Sequence, residues 1–147
     1  MSRLEKLRRL TPRQRRLVAE TVLSLVSSVL QVRLLPFGRV ASWHGWVPSD
    51  EGTDLTEAQV ETALEIKRFV GAVARRTPWT SSCLMQSLSA ATLLRRRGIG
   101  SVTYLGMAPK PEGYDAHSWT VAGDRCITGG PGRQRFTVVA SYRAPVL

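Results

Sequence analysis

Apolar positions recur at helical spacing through the N-terminal part of the chain and at strand spacing near its end. The first long pattern opens at Thr11-Pro12, an N-cap followed by proline at the first helical position. It carries Leu17, Val18, Val22, Leu25, Val26, Val29 and Leu30 and predicts a helix to about Leu34, closed by Pro36. Residues 37–54 scatter Gly, Pro and Asp and predict a loop. Thr56-Glu57-Ala58-Gln59 is a capping box. The helix it opens is expected to run to about Arg75 through Val60, Ala63, Leu64, Ile66, Phe69, Val70 and Val73, with Thr77-Pro78 as its break. The stretch from Trp79 to Gly98 follows. Its Leu84, Leu88, Ala91 and Leu94 form a buried helical face and Gly98 suits the C-terminal stop.

After Gly98 and Gly100 the period changes. Ser101–Met107 predicts a strand, residues 109–113 a loop, and Ala116–Val121 a second strand. Gly123-Asp124 predicts a tight turn, Arg125–Thr128 a third strand, 129–132 a loop, and Phe136–Tyr142 a last strand before Pro145. Helices first and an antiparallel sheet after them give an α+β fold. At 147 residues the chain is expected to form one domain, 1–147, with residues 1–10 as a basic N-terminal arm or short helix.

Composition is that of an ordinary globular protein except in charge, a net +10. That charge suits nucleic acid, an anionic surface or an acidic partner. The arginines are dispersed, and no helix-turn-helix, zinc-finger or aromatic RNA-reading motif accompanies them, so no nucleic acid is expected. The helix ending at Leu34 is broken by Glu20, Ser24, Ser27, Ser28 and Gln31 and is read as a core helix, not a transmembrane segment. Two cysteines make no disulfide framework, and neither has metal-ligand spacing. The charged N-terminus is no secretory signal, so a cytoplasmic protein with free thiols is expected.

The chemistry centres on Cys83. In the first turn of a helix, unpaired backbone N–H groups and the positive dipole end favour a thiolate. The competing reading is a buried cysteine that only fills space. A nucleophile needs a base, and His117 lies in the second strand. Cysteine at a helix start with histidine on a later strand is the layout of papain-like and transglutaminase-like sites. The imidazole also needs an orienting group. Asp124, in the turn after the strand, and Asp115, on the same strand face as His117, are the candidates, with a backbone carbonyl as a further possibility. Backbone N–H groups at the helix start, Cys83's included, would meet an oxyanion. Gln86 is read as a polar packing residue, Cys126 as structural, and His44, between Trp43 and Trp46, as a packed loop residue rather than part of a substrate groove.

Ser82-Cys83-Leu84, the run from Leu93 to Ile99, Ala116-His117-Ser118-Trp119 and, upstream, Leu34-Leu35-Pro36-Phe37 together resemble the leader peptidase of lasso-peptide biosynthesis. In split systems that peptidase is a small stand-alone transglutaminase-like protein. The resemblance implies a Cys-His-Asp protease, with no metal or organic cofactor, that cuts the leader from a ribosomally made precursor peptide. It implies a separate leader-recognition protein and an ATP-dependent cyclase as partners. Cys83 and His117 carry over. The family aspartate falls about a dozen residues after the histidine, where this chain has Thr128-Gly129-Gly130, so Asp124 is the expected acid with Asp115 as the alternative. Two other readings stay open: acyl or amide transfer on another peptide by the same dyad, and a basic module that binds nucleic acid or an anionic surface.

Overall fold

The computed structural model describes residues 2–77 and 82–146. The Trp79–Ser81 opening of the cysteine stretch, and Pro78, lie outside them. Helix α1 (Arg3–Arg8) is a short basic turn closed by a Ser2–Glu5 capping box. Helix α2 (Pro12–Leu34) starts at the Thr11 cap, where Thr11 and Gln14 satisfy each other's backbone N–H groups. Helices α4 (Glu57–Arg76) and α5 (Cys83–Arg96) open on capping boxes at Thr56 and Ser82. Gly98 follows α5 at φ +71°, a left-handed stop that glycine adopts without a Cβ penalty.

Residues 37–54 depart from the sequence reading. The expected loop 37–54 contains helix α3 (Phe37–Trp43) and a short strand β1 (Val47–Pro48). Tertiary burial makes them. Val40, Ala41 and Trp46 are buried against Leu88, Ala91 and Ala144, and the Phe37 and Trp46 rings both pack on Tyr142. A six- or seven-residue helix has little stability of its own, so local composition gave no sign of it.

The sheet runs β1-β5-β2-β3-β4, all neighbours antiparallel, with β2 (Ser101–Lys110), β3 (Gly113–Ala122), β4 (Arg125–Thr128) and β5 (Thr137–Ala144). The β2–β3 hairpin is longer than the spacing predicts, because Pro109 lies inside β2, paired with Tyr114. Proline is tolerated there since the β5 ladder stops at Met107–Thr137, which leaves no neighbour on that side to receive an N–H. A 3₁₀ turn (Arg133–Arg135) precedes β5.

Helices α4 and α5 pack on one face of the sheet, and α2 lies against those two helices. Ile66 and Val70 of α4, Leu93 and Leu94 of α5, Leu17 of α2, and Ala122 and Ile127 of the sheet share one buried cluster. The arrangement is the mixed helix and antiparallel sheet expected. Helix α2 is long and apolar enough to cross a membrane by length and composition, with 28% of its most apolar window buried. Its inward side, Leu17, Thr21, Ser24, Leu25, Ser28 and Val29, is covered by the fold.

Candidate active site

Cys83 is the first residue of α5. The Ser82 hydroxyl caps the helix by accepting from the Met85 N–H at 3.3 Å, and the Gln86 N–H donates to the Ser82 carbonyl at 3.0 Å. The amides of Cys83 and Leu84 have no acceptor within the helix, as in any first turn. They lie beside the thiol, which is half-buried and free.

A layer of small hydroxyls fixes α5 against the sheet. Ser87 Oγ pairs with Ser118 Oγ at 3.3 Å and with Thr128 Oγ1 at 3.1 Å. Thr120 pairs with Thr103 at 2.8 Å, and its N–H donates to Thr128 Oγ1. All five residues are buried. Small side chains let helix and sheet approach closely, and the mutual hydrogen bonds offset the desolvation of the hydroxyls. Ser87 is one turn after Cys83, about 6 Å along the axis. Ser118 is next to His117. Farther along α5, Leu94 shares its cluster with Ala122, so the helix and β3 run the same way and Cys83 lies toward the His117 end of the strand.

His117 sits on the other face of β3 from Ser118, by strand alternation. Its ring stacks on Trp119 at 5.8 Å and packs on Phe136 at 5.0 Å, and Trp119 stacks on Tyr104 at 5.7 Å. Gly106, opposite His117 in β2, leaves room for this wall: a Cβ there would lie 2.8 Å from Phe136 and 2.9 Å from Trp119. The β4 ladder joins β3 only from Thr120 to Ala122, so His117 stands on a stretch of β3 not paired to β4. Just past Thr128 the chain turns through Gly129 at φ +69°, and His117 Nε2 lies 2.7 Å from the Gly129 carbonyl oxygen. A carbonyl can only accept, so Nε2 carries the proton and Nδ1 is the basic nitrogen.

The aspartates stand elsewhere. Asp124 is in the β3–β4 turn, its side chain 91% exposed and 3.6 Å from Arg125. Ala122, at the near end of that turn, is already about 17 Å along the strand from His117 at ~3.3 Å per residue, so the turn cannot curl Asp124 back onto the ring. Asp115 shares the His117 face, as its spacing predicts, but its carboxylate accepts from Arg135 Nη2 at 2.7 Å. The Arg135 guanidinium in turn lies 4.7 Å over the Phe136 ring. Asp115 thus braces the wall that holds the imidazole rather than the imidazole itself. His117 Nε2 meets the Gly129 carbonyl where the sequence reading expects Asp124. That carbonyl falls at the chain position where the resemblance placed the family acid, and no side chain signals it.

Among the described residues no hydrogen bond joins Cys83 Sγ to His117. Cys126 is separate from both: its thiol donates to the Thr128 carbonyl at 3.3 Å. Burial pushes the Cys126 thiol up, and the Arg133 and Lys67 charges offset part of that. His44 is half-buried, its Nε2 2.7 Å from Gln31 Oε1. Burial lowers its pKa, and the Arg95 cation adds to that. Among the described residues no three His, Cys, Asp or Glu side chains gather as a metal site.

A helix-borne cysteine packed over an antiparallel sheet that carries a ring-walled histidine defines a transglutaminase-like class of protein. The chain belongs to the transglutaminase-like superfamily, whose family model matches residues 24–141. That span takes in Cys83, His117 and Gly129, and the superfamily includes cysteine peptidases and transferases. Comparison with curated proteins and with solved structures gives no match.

Proposed function

We propose that the protein is a cysteine peptidase that removes the leader from a lasso precursor peptide before a separate ATP-dependent cyclase closes the macrolactam. The observation that carries the reading is the 2.7 Å contact between His117 Nε2 and the Gly129 carbonyl, which leaves Nδ1 to act as base on a histidine whose neighbour, Ser118, is bonded to the cysteine helix. His117 Nδ1 takes the proton of Cys83 Sγ as the thiol closes on it in the substrate complex. The thiolate attacks the carbonyl carbon of the last leader residue, and the oxyanion is met by the free amides of the α5 first turn. The imidazolium then protonates the departing amine of the core peptide. Water hydrolyses the thioester on Cys83, with His117 again as base, and releases the leader acid.

The family membership and the cap geometry at Ser82 support this reading. The reaction belongs in the cytosol, with a small recognition protein presenting the leader and no cofactor taking part. Mass spectrometry of precursor cleavage, with and without that recognition protein, tests it. The parent should yield leader acid and core, faster with the recognition protein. Cys83→Ala and His117→Ala should yield neither product. Cleavage by Cys83→Ala at the parent rate would end the peptidase reading. Leader amide formed with an added amine, in preference to leader acid, would assign acyl transfer instead.

A further inference from the structure

A groove of about 410 Å³ lies on the helical side of the molecule, between α2, the end of α3 and the end of α5. Its floor carries Ser27, Ser28 and Gln31, and its walls carry Arg95, Arg96 and Trp43. Arg95 is twelve residues along α5 from Cys83, about 18 Å at ~1.5 Å per residue. The groove is therefore not the place where a bond beside Cys83 would be cut.

Three features say what it would hold. Neither Arg95 nor Arg96 forms a salt bridge among the described residues; Glu20 of α2 pairs with Arg97 and feels Arg96 only as a more distant charge. Arg95 is fixed in place by donating to the His44 carbonyl at 3.1 Å, while its Nε–H is buried with no acceptor. The apolar side is exposed. Trp43 is 80% accessible, and Leu23, Leu30 and Leu34 on the outer ridge of α2 are 69, 55 and 74% accessible. Positions 23, 30 and 34 fall on one helix face, so the ridge is continuous. Exposed apolar surface of this kind beside a polar rim marks an interaction site.

We infer that this groove docks an acidic, apolar-anchored segment of a second polypeptide, with carboxylates on Arg95 and Arg96 and an apolar side chain against Trp43 and the α2 ridge. The net charge of +10 complements such a partner. A concave site suits a polypeptide segment, whereas a bilayer would meet the convex ridge alone. The inference does not depend on the peptidase reading, since no residue of the groove takes part in that chemistry.

Fluorescence anisotropy of the full chain with a labelled dodecapeptide of paired Glu and Leu residues tests it at low salt. Replacing its Glu by Gln, or its Leu by Ser, should each weaken binding by about tenfold. Arg96→Gln and Trp43→Ala should do the same, and both are exposed enough to leave folding intact. Arg125→Gln, at the start of β4, should change nothing. Equal weakening by Arg125→Gln would mean that net charge alone is responsible and would overturn the inference. So would absence of binding, or competition by phosphatidylglycerol vesicles that itself depends on Arg96 and Trp43.

Discussion

The ring nitrogen Nε2 of His117 and the main-chain oxygen of Gly129 lie 2.7 Å apart, and a glycine is required for that approach. Gly129 has φ +69°, and a Cβ there would fall 2.2 Å from the Ser118 carbonyl oxygen. Gly129→Ala should therefore cost at least about 2 kcal/mol in thermal or denaturant unfolding. It should also lower precursor cleavage by between roughly 10-fold and 10⁴-fold, the upper bound being that of a mis-set triad histidine. Gly129→Asp should fail as well, although it writes an acid at the position implied by the resemblance. Gly130→Ala is the control, because its Cβ would meet only side-chain atoms at 3.4 Å or more. Parent-like cleavage by Gly129→Ala would show that the carbonyl does not orient the ring.

The two aspartates separate cleanly. Asp124→Asn removes an exposed charge with one loose partner and should leave stability within about 0.5 kcal/mol and cleavage unchanged. Asp115→Asn releases Arg135 from the wall beside His117, and cleavage should fall several-fold. Loss of cleavage in Asp124→Asn alone would restore that residue as the orienting acid.

Thiol chemistry should distinguish the cysteines. Burial raises the Cys126 thiol and its proton is committed to the Thr128 carbonyl, so a limiting alkylating reagent should take Cys83 first. Peptide mapping reads the order. Cys126→Ser should keep most of the cleavage activity; faster alkylation of Cys126 would contradict the contrast in environment.

The Glu20–Arg97 pair predicts a pH dependence. The Arg97 hydrogen bond holds the Glu20 carboxyl below its ordinary value, against some desolvation. The folded pKa is lower than the unfolded one, so the pair's contribution is full above the ordinary carboxylate value and is lost as pH falls through the depressed one. Both side chains are largely covered, 26% exposed for Arg97 and 19% for Glu20. Glu20→Gln should lower stability by about 1 kcal/mol near neutrality, and unfolding curves of parent and variant should converge in acid. A constant gap down to the acid limit would mean that packing, not charge, is lost.

Much of the fold was legible because local chemistry agreed with tertiary structure. The caps at Thr11, Thr56 and Gly98 and the Gly123 turn all stand where the sequence puts them. Helix α3 and strand β1 were not legible, because Trp46 and Tyr142 meet only once β5 is in place. The position of Cys83 at a helix start could be read from Ser82 and the leucine spacing. The orienting partner of His117 could not. Side chains announce themselves by type, and a main-chain oxygen does so only through the glycine that lets it turn. Phe136 and Arg135 were missed for a related reason: their part depends on a 3₁₀ turn that carries them under the strand.

A carbonyl in place of a carboxylate also changes what inheritance can do to the site. Every residue type carries that oxygen, so no codon change deletes it; a mutation can only displace it by bending the chain. The orientation of His117 is shielded from the gradual drift that turns an aspartate into an asparagine or a serine. For the same reason it cannot be adjusted in small steps, and any tuning of the imidazole has to work through the neighbours Trp119 and Phe136.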